Sequence, residues 1–157
     1  AQRCGMPYAA ERWLGVSLTN LETIRKRVQR LIDLEAMDGS GEINTYSKKM
    51  QSSLNREKRK IKRNLDGIRI MHALPGALFV IDPMQEHNAV LEAQRLSIPV
   101  VAMLDTDADP TKIDLPIPAN DDALRSIDMV VAKVADGCIE GMNLRKMLPK
   151  AGAPVPK

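Results

Sequence analysis

The chain has 157 residues, 44% of them hydrophobic, enough for one domain with its own core. Aromatic residues make up only 3%, so the core has to be aliphatic and Met-filled, and the composition argues against a stacking platform for single-stranded bases. A net charge of +3 gives little away, and the longest unbroken apolar runs, such as 77–81, are far short of the roughly 20 residues that cross a bilayer.

The chain opens at Ala1 and not at Met, inside what reads as a helix end over residues 2–7, so further residues are expected upstream. No signal-peptide pattern is visible there. Cys4 and Cys138 lie far apart with no metal-ligand spacing, which fits reduced thiols in a cytoplasmic protein better than a disulfide framework. Residues 8–19 follow neither a helical nor a strand period and read as a loop carrying Arg12 and Trp13. Trp13 can plug a junction or stack on a base; large aromatics are more often packing anchors.

Residues 20–65 organise the rest. Asn20 is a good helix N-cap, and Leu21, Ile24, Val28, Leu31 and Glu35 recur at steps of three and four, the spacing of one helical face. Gly39-Ser40-Gly41 forms a hinge, Ser47 caps a second helix, and Met50, Leu54, Ile61 and Leu65 fall within about a sixth of a turn. Lys49, Arg56, Lys60 and Arg63 fall together on the opposite side as a basic ridge. Two such helices should pack antiparallel, apolar stripe to apolar stripe, with the ridge in solvent. This stretch holds 12 Lys/Arg against 6 Asp/Glu, whereas residues 66–148 hold 7 against 13. A chain so divided points to a polyanion for one half only, with nucleic acid the leading candidate.

The second half reads as α/β. A continuous apolar run ended by an acid and a proline predicts a buried parallel strand over 77–82. A helix follows over 86–96 with Ala89, Val90, Ala93 and Leu96 on one face, then a buried strand over 98–104 and a short third strand over 115–118. Asn120 is placed to cap a last helix, with Asp121 and Asp122 in its first turn and Leu124, Ile127, Val131 and Val134 as its buried face. The fold class is therefore α/β: a partial doubly wound, flavodoxin-like parallel sheet with a protruding antiparallel helical hairpin. Residues 1–148 form a single domain including the hairpin 20–65, and residues 149–157, rich in Pro, Ala and Gly, form a disordered tail. The raw edge expected on the first strand again points to missing upstream structure.

Most catalytic signatures fail on inspection. The Gly39–Gly41 stretch follows a helix and lacks a third glycine, so it is no dinucleotide fingerprint. Asp105, Asp107 and Asp109 imitate the start of a calcium loop, but Pro110 stands where Gly is needed and Pro116 where Glu should chelate. His72 and His87 have no Cys at ligand spacing, which argues against zinc, and there is no nucleophile elbow. Asp82, Asp105 and Asp107 at strand ends keep one alternative open, a Mg²⁺-dependent phosphotransfer or receiver-type domain; the simpler reading is that such acids cap loops. No cofactor, metal or enzymatic activity is expected.

Several segments carry a resemblance. Arg12-Trp-Leu-Gly-Val-Ser-Leu-Thr-Asn20, Gly76-Ala-Leu-Phe-Val-Ile-Asp82, Glu86-His87 with Glu92-Ala93, and Ile98-Pro-Val-Val-Ala-Met-Leu-Asp-Thr-Asp107 are among them. With Asp109-Pro110 and Ile117-Pro-Ala-Asn-Asp-Asp-Ala-Leu-Arg-Ser126, they resemble the bacterial small-subunit ribosomal protein S-two family, in its order and spacing, over residues 2–146. The resemblance implies an α/β domain with a helical hairpin, no catalysis, binding to small-subunit rRNA at the junction of head and body, and a part in seating ribosomal protein S-one. Val16 departs from the family, which usually has a second glycine there, as does Leu21, where Phe is common; the family's N-terminal portion is absent. The candidate RNA-contacting set is then Arg12, Trp13, Asn20, Arg25, Lys26, Arg30, Lys49, Arg56, Arg59, Lys60 and Arg63, in a ribosomal, cytoplasmic setting.

Overall fold

The computed structural model describes residues 1–11 and 13–147. Arg12 and the tail expected over 149–157 lie outside the described residues. After a short 3-10 turn at Gln2–Cys4, the described residues before residue 21 form only turns and irregular backbone, as their lack of periodicity predicts.

Helix α1 spans Leu21–Gly39, and helix α2 spans Lys48–Leu65. Both start where the caps predict: Asn20 Oδ1 accepts from the Thr23 N–H at 3.1 Å and Ser47 Oγ from the Met50 N–H at 3.4 Å. Gly41, at φ 75°, supplies the left-handed residue that turns the chain between them. The helices run antiparallel, with Asp38 paired to Lys58 and Glu35 to Lys62 across the seam. Leu31, Leu34 and Ile43 are buried within the hairpin itself, while Ile24 and Leu65 at its root join the core of the sheet domain. The distal part of the hairpin therefore stands off the body on its own apolar seam.

Two seam positions differ from the periodic pattern. Leu34, which the pattern omits, is fully buried, and Met50, which it includes, is exposed. Met50 sits at the tip, where Gln51 instead turns inward and donates from Nε2 to the Tyr46 carbonyl at 2.8 Å.

The body is a three-stranded parallel sheet of β1 (Leu78–Ile81), β2 (Val100–Leu104) and β3 (Leu115–Pro118), in that spatial order. Phe79 stands opposite Val101, and Met103 opposite Ile117. Helix α3 (His87–Arg95) connects β1 to β2 and buries Ala89, Val90, Glu92 and Ala93. Strand β2 is the central one and is buried almost throughout, whereas only Val80 of β1 is buried. The expectation of a fully buried first strand is thus corrected: β1 is an edge, covered on part of its surface only. Pro116 and Pro118 are tolerated in β3 because that strand is the other edge.

Helix α4 (Leu124–Met147) also departs from expectation. Asn120 does cap, accepting from the N–H groups of Asp122 and Ala123 at 3.1 and 2.7 Å, but it closes a turn ahead of the helix. Asp121 and Asp122 therefore precede the helix and do not occupy its first turn. Leu124 is 78% exposed and Ile127, Val131 and Val134 are only half-buried; Ala135 is the buried residue. The helix packs on the narrow 3-10 turn at Gln2–Cys4, where Arg3 reaches the Ala132 carbonyl at 3.0 Å and pairs with Asp136. One turn covers one line of side chains, so the predicted stripe stays half open. Cys4 and Cys138 meet at this contact as free thiols, and burial, reinforced by Cys4, pushes the Cys138 thiol up.

Gly67 marks the tightest approach at the hairpin root. Its carbonyl accepts from the Tyr8 N–H at 3.0 Å, and a Cβ added to it would lie 2.2 Å from the Tyr8 carbonyl oxygen. Backbone on both sides leaves no flexible group to yield. Gly67→Ala is expected to lower stability by about 1–3 kcal/mol, the usual scale of overpacking, read as a fall in the urea midpoint; an unchanged midpoint would contradict so close an approach.

Candidate nucleic-acid interface

The buried side of α2 is built from Leu54, Ile61 and Leu65, and its periodicity sends Lys49, Arg56, Arg59, Lys60 and Arg63 to the far side, where all five are exposed. From Lys49 to Arg63 the ridge runs roughly 21 Å at helical rise. The three residues on which the ridge reading most depends, Arg56, Lys60 and Arg63, are neither tucked under the sheet nor scattered around the helix.

Ion pairing then divides the hairpin's cations into two sets. Arg30 forms a two-pronged pair with Glu57, both contacts at 3.1 Å, and Lys58 and Lys62 are held by Asp38 and Glu35. Glu35 also takes Arg69 at 2.9 Å, and this hydrogen bond holds its carboxyl below the ordinary carboxylate range against the opposing pull of desolvation. Lys26 pairs with Glu22 at 2.8 Å within α1, and Arg63 lies 3.8 Å from Glu11. Among the described residues, Arg25, Lys49, Arg56, Arg59 and Lys60 have no carboxylate within 4 Å. Arg27 and Lys48 share that property and were not singled out by the sequence pattern; their exposure follows from the same helical periodicity. Lys26 and Arg30 face solvent as expected but are already paired.

Loop 13–19 at the foot of α1 is organised by a residue that periodicity alone marks merely as helical. Glu92, in α3, is 5% exposed. Its Oε1 accepts from the Trp13 indole N–H at 2.9 Å and the Val16 N–H at 2.7 Å. Its Oε2 accepts from the N–H groups of Leu18 at 2.9 Å and Thr19 at 3.1 Å, and from the Thr19 hydroxyl at 3.2 Å. Burial pushes this carboxyl up, but the Trp13 indole and the backbone N–H groups of Thr19, Leu18 and Val16 more than reverse it, so its pKa lies below the ordinary value. Trp13 is half-buried, packed against the core and committed to Glu92, which makes it an anchor of the junction. Asn20 is exposed, but its side-chain oxygen is engaged in capping α1. Val16 adopts φ 66°, a left-handed conformation costly for a β-branched residue.

The strand-end acids do come near one another. Burial, then Asp82, and more weakly Asp105 and Asp107, raise the Asp121 carboxyl above its ordinary range. Two of the three candidate metal-binding acids are nevertheless engaged as loop caps: Asp82 Oδ1 accepts from the N–H groups of Met84 and Gln85, and Asp105 Oδ1 from that of Thr106. Among the described residues no three His, Cys, Asp or Glu side chains converge as a metal site would require.

Two outcomes test the loop. Val16→Gly should raise stability by about 0.5–1 kcal/mol, since relief of left-handed strain of about 1–2 kcal/mol exceeds the extra entropy of an unfolded glycine; a lower thermal midpoint would contradict the strain. Because Glu92 is depressed in the folded state, its contribution is complete above the ordinary value of 4.5 and is lost as pH falls through the folded value. The stability difference between the parent chain and Glu92→Gln should therefore shrink below pH 4.5, measured by urea titration at stepped pH; a difference that grows on acidification would reverse the sign.

Comparison with known proteins bears on the same surfaces. The family model described as Ribosomal protein S2 matches residues 1–141. The small ribosomal subunit protein uS2 of Rhodopirellula baltica is 58% identical over 139 residues, covering 88% of this chain and 54% of that protein. The uS2 protein of Synechocystis is 54% identical over 143 residues, 91% of this chain and 53% of its own length, and that of Mycobacteroides abscessus is 47% identical over 161 residues, 99% and 58%. The chain thus spans about half the length of the curated relatives it matches. With the match running through the hairpin, the loop held by Glu92 and the sheet, the chain belongs to the Ribosomal protein S2 family.

Proposed function

We propose that this chain is a structural, non-catalytic part of the small ribosomal subunit, held on small-subunit rRNA by the basic ridge of α2 and the neighbouring cations of α1. The ridge is what chiefly supports this: Lys49, Arg56, Arg59 and Lys60 are exposed together on the side of α2 away from the seam, with no carboxylate within 4 Å among the described residues. Unpaired cations pay no cost of breaking an internal pair when they meet phosphate, and each contact releases counterions. Scarce aromatics and a rigid helix favour structured RNA, read by shape and backbone, over single strands. Arg25, Arg27 and Lys48 extend the contact, and Arg63 joins it by exchanging its long-range contact with Glu11 for phosphate. The acidic remainder of the chain faces neighbouring small-subunit proteins, ribosomal protein S-one among them, as the family resemblance implies. Its site of action is the ribosome in the cytoplasm.

Filter binding to small-subunit rRNA at stepped salt tests this reading. Combined charge reversal of Arg56, Lys60 and Arg63 should leave helix content intact, because all three point away from the seam. It should reduce the slope of log K against log salt by about 2–3, roughly one per lost phosphate contact. An affinity and slope unchanged within error would remove the ridge from the interface.

A further inference from the structure

The hairpin is joined to the body at two roots, and the two are held differently. At the α2 root, Leu65, Ile68 and Met71 pack into the common core and the Gly67 carbonyl meets the Tyr8 N–H. Apart from that single backbone hydrogen bond, this root is held by apolar packing, which is non-directional and by itself tolerates rotation of one element on another. At the α1 root the connection is directional. Glu92 belongs to α3, whose Ala89, Val90 and Ala93 are buried, so its carboxylate is part of the body. Its two oxygens accept hydrogen bonds from Trp13, Val16, Leu18 and Thr19. The Val16 carbonyl in turn accepts from the Asn20 N–H at 2.9 Å, and Asn20 caps the first turn of α1. A continuous run of hydrogen bonds thus ties the start of α1 to α3. The stretch just before the loop also flanks the end of the ridge, with Glu11 3.8 Å from Arg63.

From this geometry we infer that Glu92 is a positioning residue for RNA binding: it touches no RNA, but it sets the direction in which the hairpin presents its ridge relative to the body. The inference rests on the proposed rRNA contact and adds a requirement to it. A ridge that reads RNA by shape needs a fixed aim, and a hairpin freed at one root has to be ordered each time it binds. Replacing the carboxylate by an amide puts an NH₂ group against backbone N–H donors, leaving at least one donor unpaired while every cation of the ridge stays in place.

The test compares the parent chain, Glu92→Gln and the combined Arg56→Glu, Lys60→Glu, Arg63→Glu variant in filter binding to small-subunit rRNA, at a temperature where circular dichroism shows all three folded. Glu92→Gln should raise Kd roughly tenfold, the scale of lost pre-organisation, with the bound fraction at saturation and the salt slope unchanged. A Kd within about twofold of the parent would overturn the inference. So would a lower bound fraction at unchanged Kd, because a merely structural role removes active molecules without weakening the rest. Should Glu92→Gln fail to fold, Trp13→Phe serves instead: it removes one donor, leaves the carboxylate its other four, and should still raise Kd severalfold. An unchanged Kd there also overturns the inference. If the triple variant keeps the parent Kd and slope, it is the rRNA contact itself that fails, whatever Glu92 does.

Discussion

A buried carboxylate with five donors around it holds the two halves of this molecule in register. Isolated in an apolar interior, the Glu92 charge would be very costly; with four N–H groups and a hydroxyl donating to it, its acceptor capacity of about four lone pairs is filled. The arrangement also explains how an irregular loop can be half-buried. Backbone N–H groups at residues 16, 18 and 19 that no helix or strand could satisfy are all served by one side chain. The left-handed φ of Val16 falls within this same loop, where the N–H groups of residues 16, 18 and 19 converge on the two oxygens.

The hairpin separates its charges by a related logic. Cations on the flanks of the seam, Lys58, Lys62 and Arg30, meet the acids of the facing helix, where partial shielding from water strengthens the pairing. Among the described residues, the cations on the outer face of α2 have no carboxylate within 4 Å except Arg63, which lies 3.8 Å from Glu11. Exposed pairs of this kind contribute little stability, at most about 1 kcal/mol each, so their larger effect is on which charges remain available to an outside partner. The excess of positive charge on residues 20–65 is consequently concentrated in a ridge rather than spread around two helices.

At the other end, acids gather where the strands end, and burial first, then repulsion from Asp82 and more weakly from Asp105 and Asp107, raises the Asp121 carboxyl. Asp82 and Asp105 each use a carboxylate oxygen to close the turns after β1 and β2, which accounts for an acid at the end of those two strands. With 13 Asp/Glu against 7 Lys/Arg over residues 66–148, the body is negative while the hairpin is positive.

Local periodicity and capping determined much of this protein from sequence alone. Asn20 and Ser47 start the hairpin helices where their side chains can accept an N–H, alternation of apolar and basic residues assigns the ridge to solvent, and the apolar runs mark all three strands. These are properties of neighbours three or four residues apart, or of a single extended segment, so they need no knowledge of the rest of the chain. What only the tertiary structure decided is set by contacts between distant segments. Leu34 is buried and Met50 is not because of where the two helices cross; β1 is an edge because of strand order; α4 shows its stripe because so little packs on it. Glu92 lies far along the chain from the loop it holds, and nothing local distinguishes a helical glutamate facing water from one facing five donors. Such a hydrogen-bond set exists only once packing has brought α3 against the loop, which is why folding had to supply the one residue that fixes how hairpin and body meet.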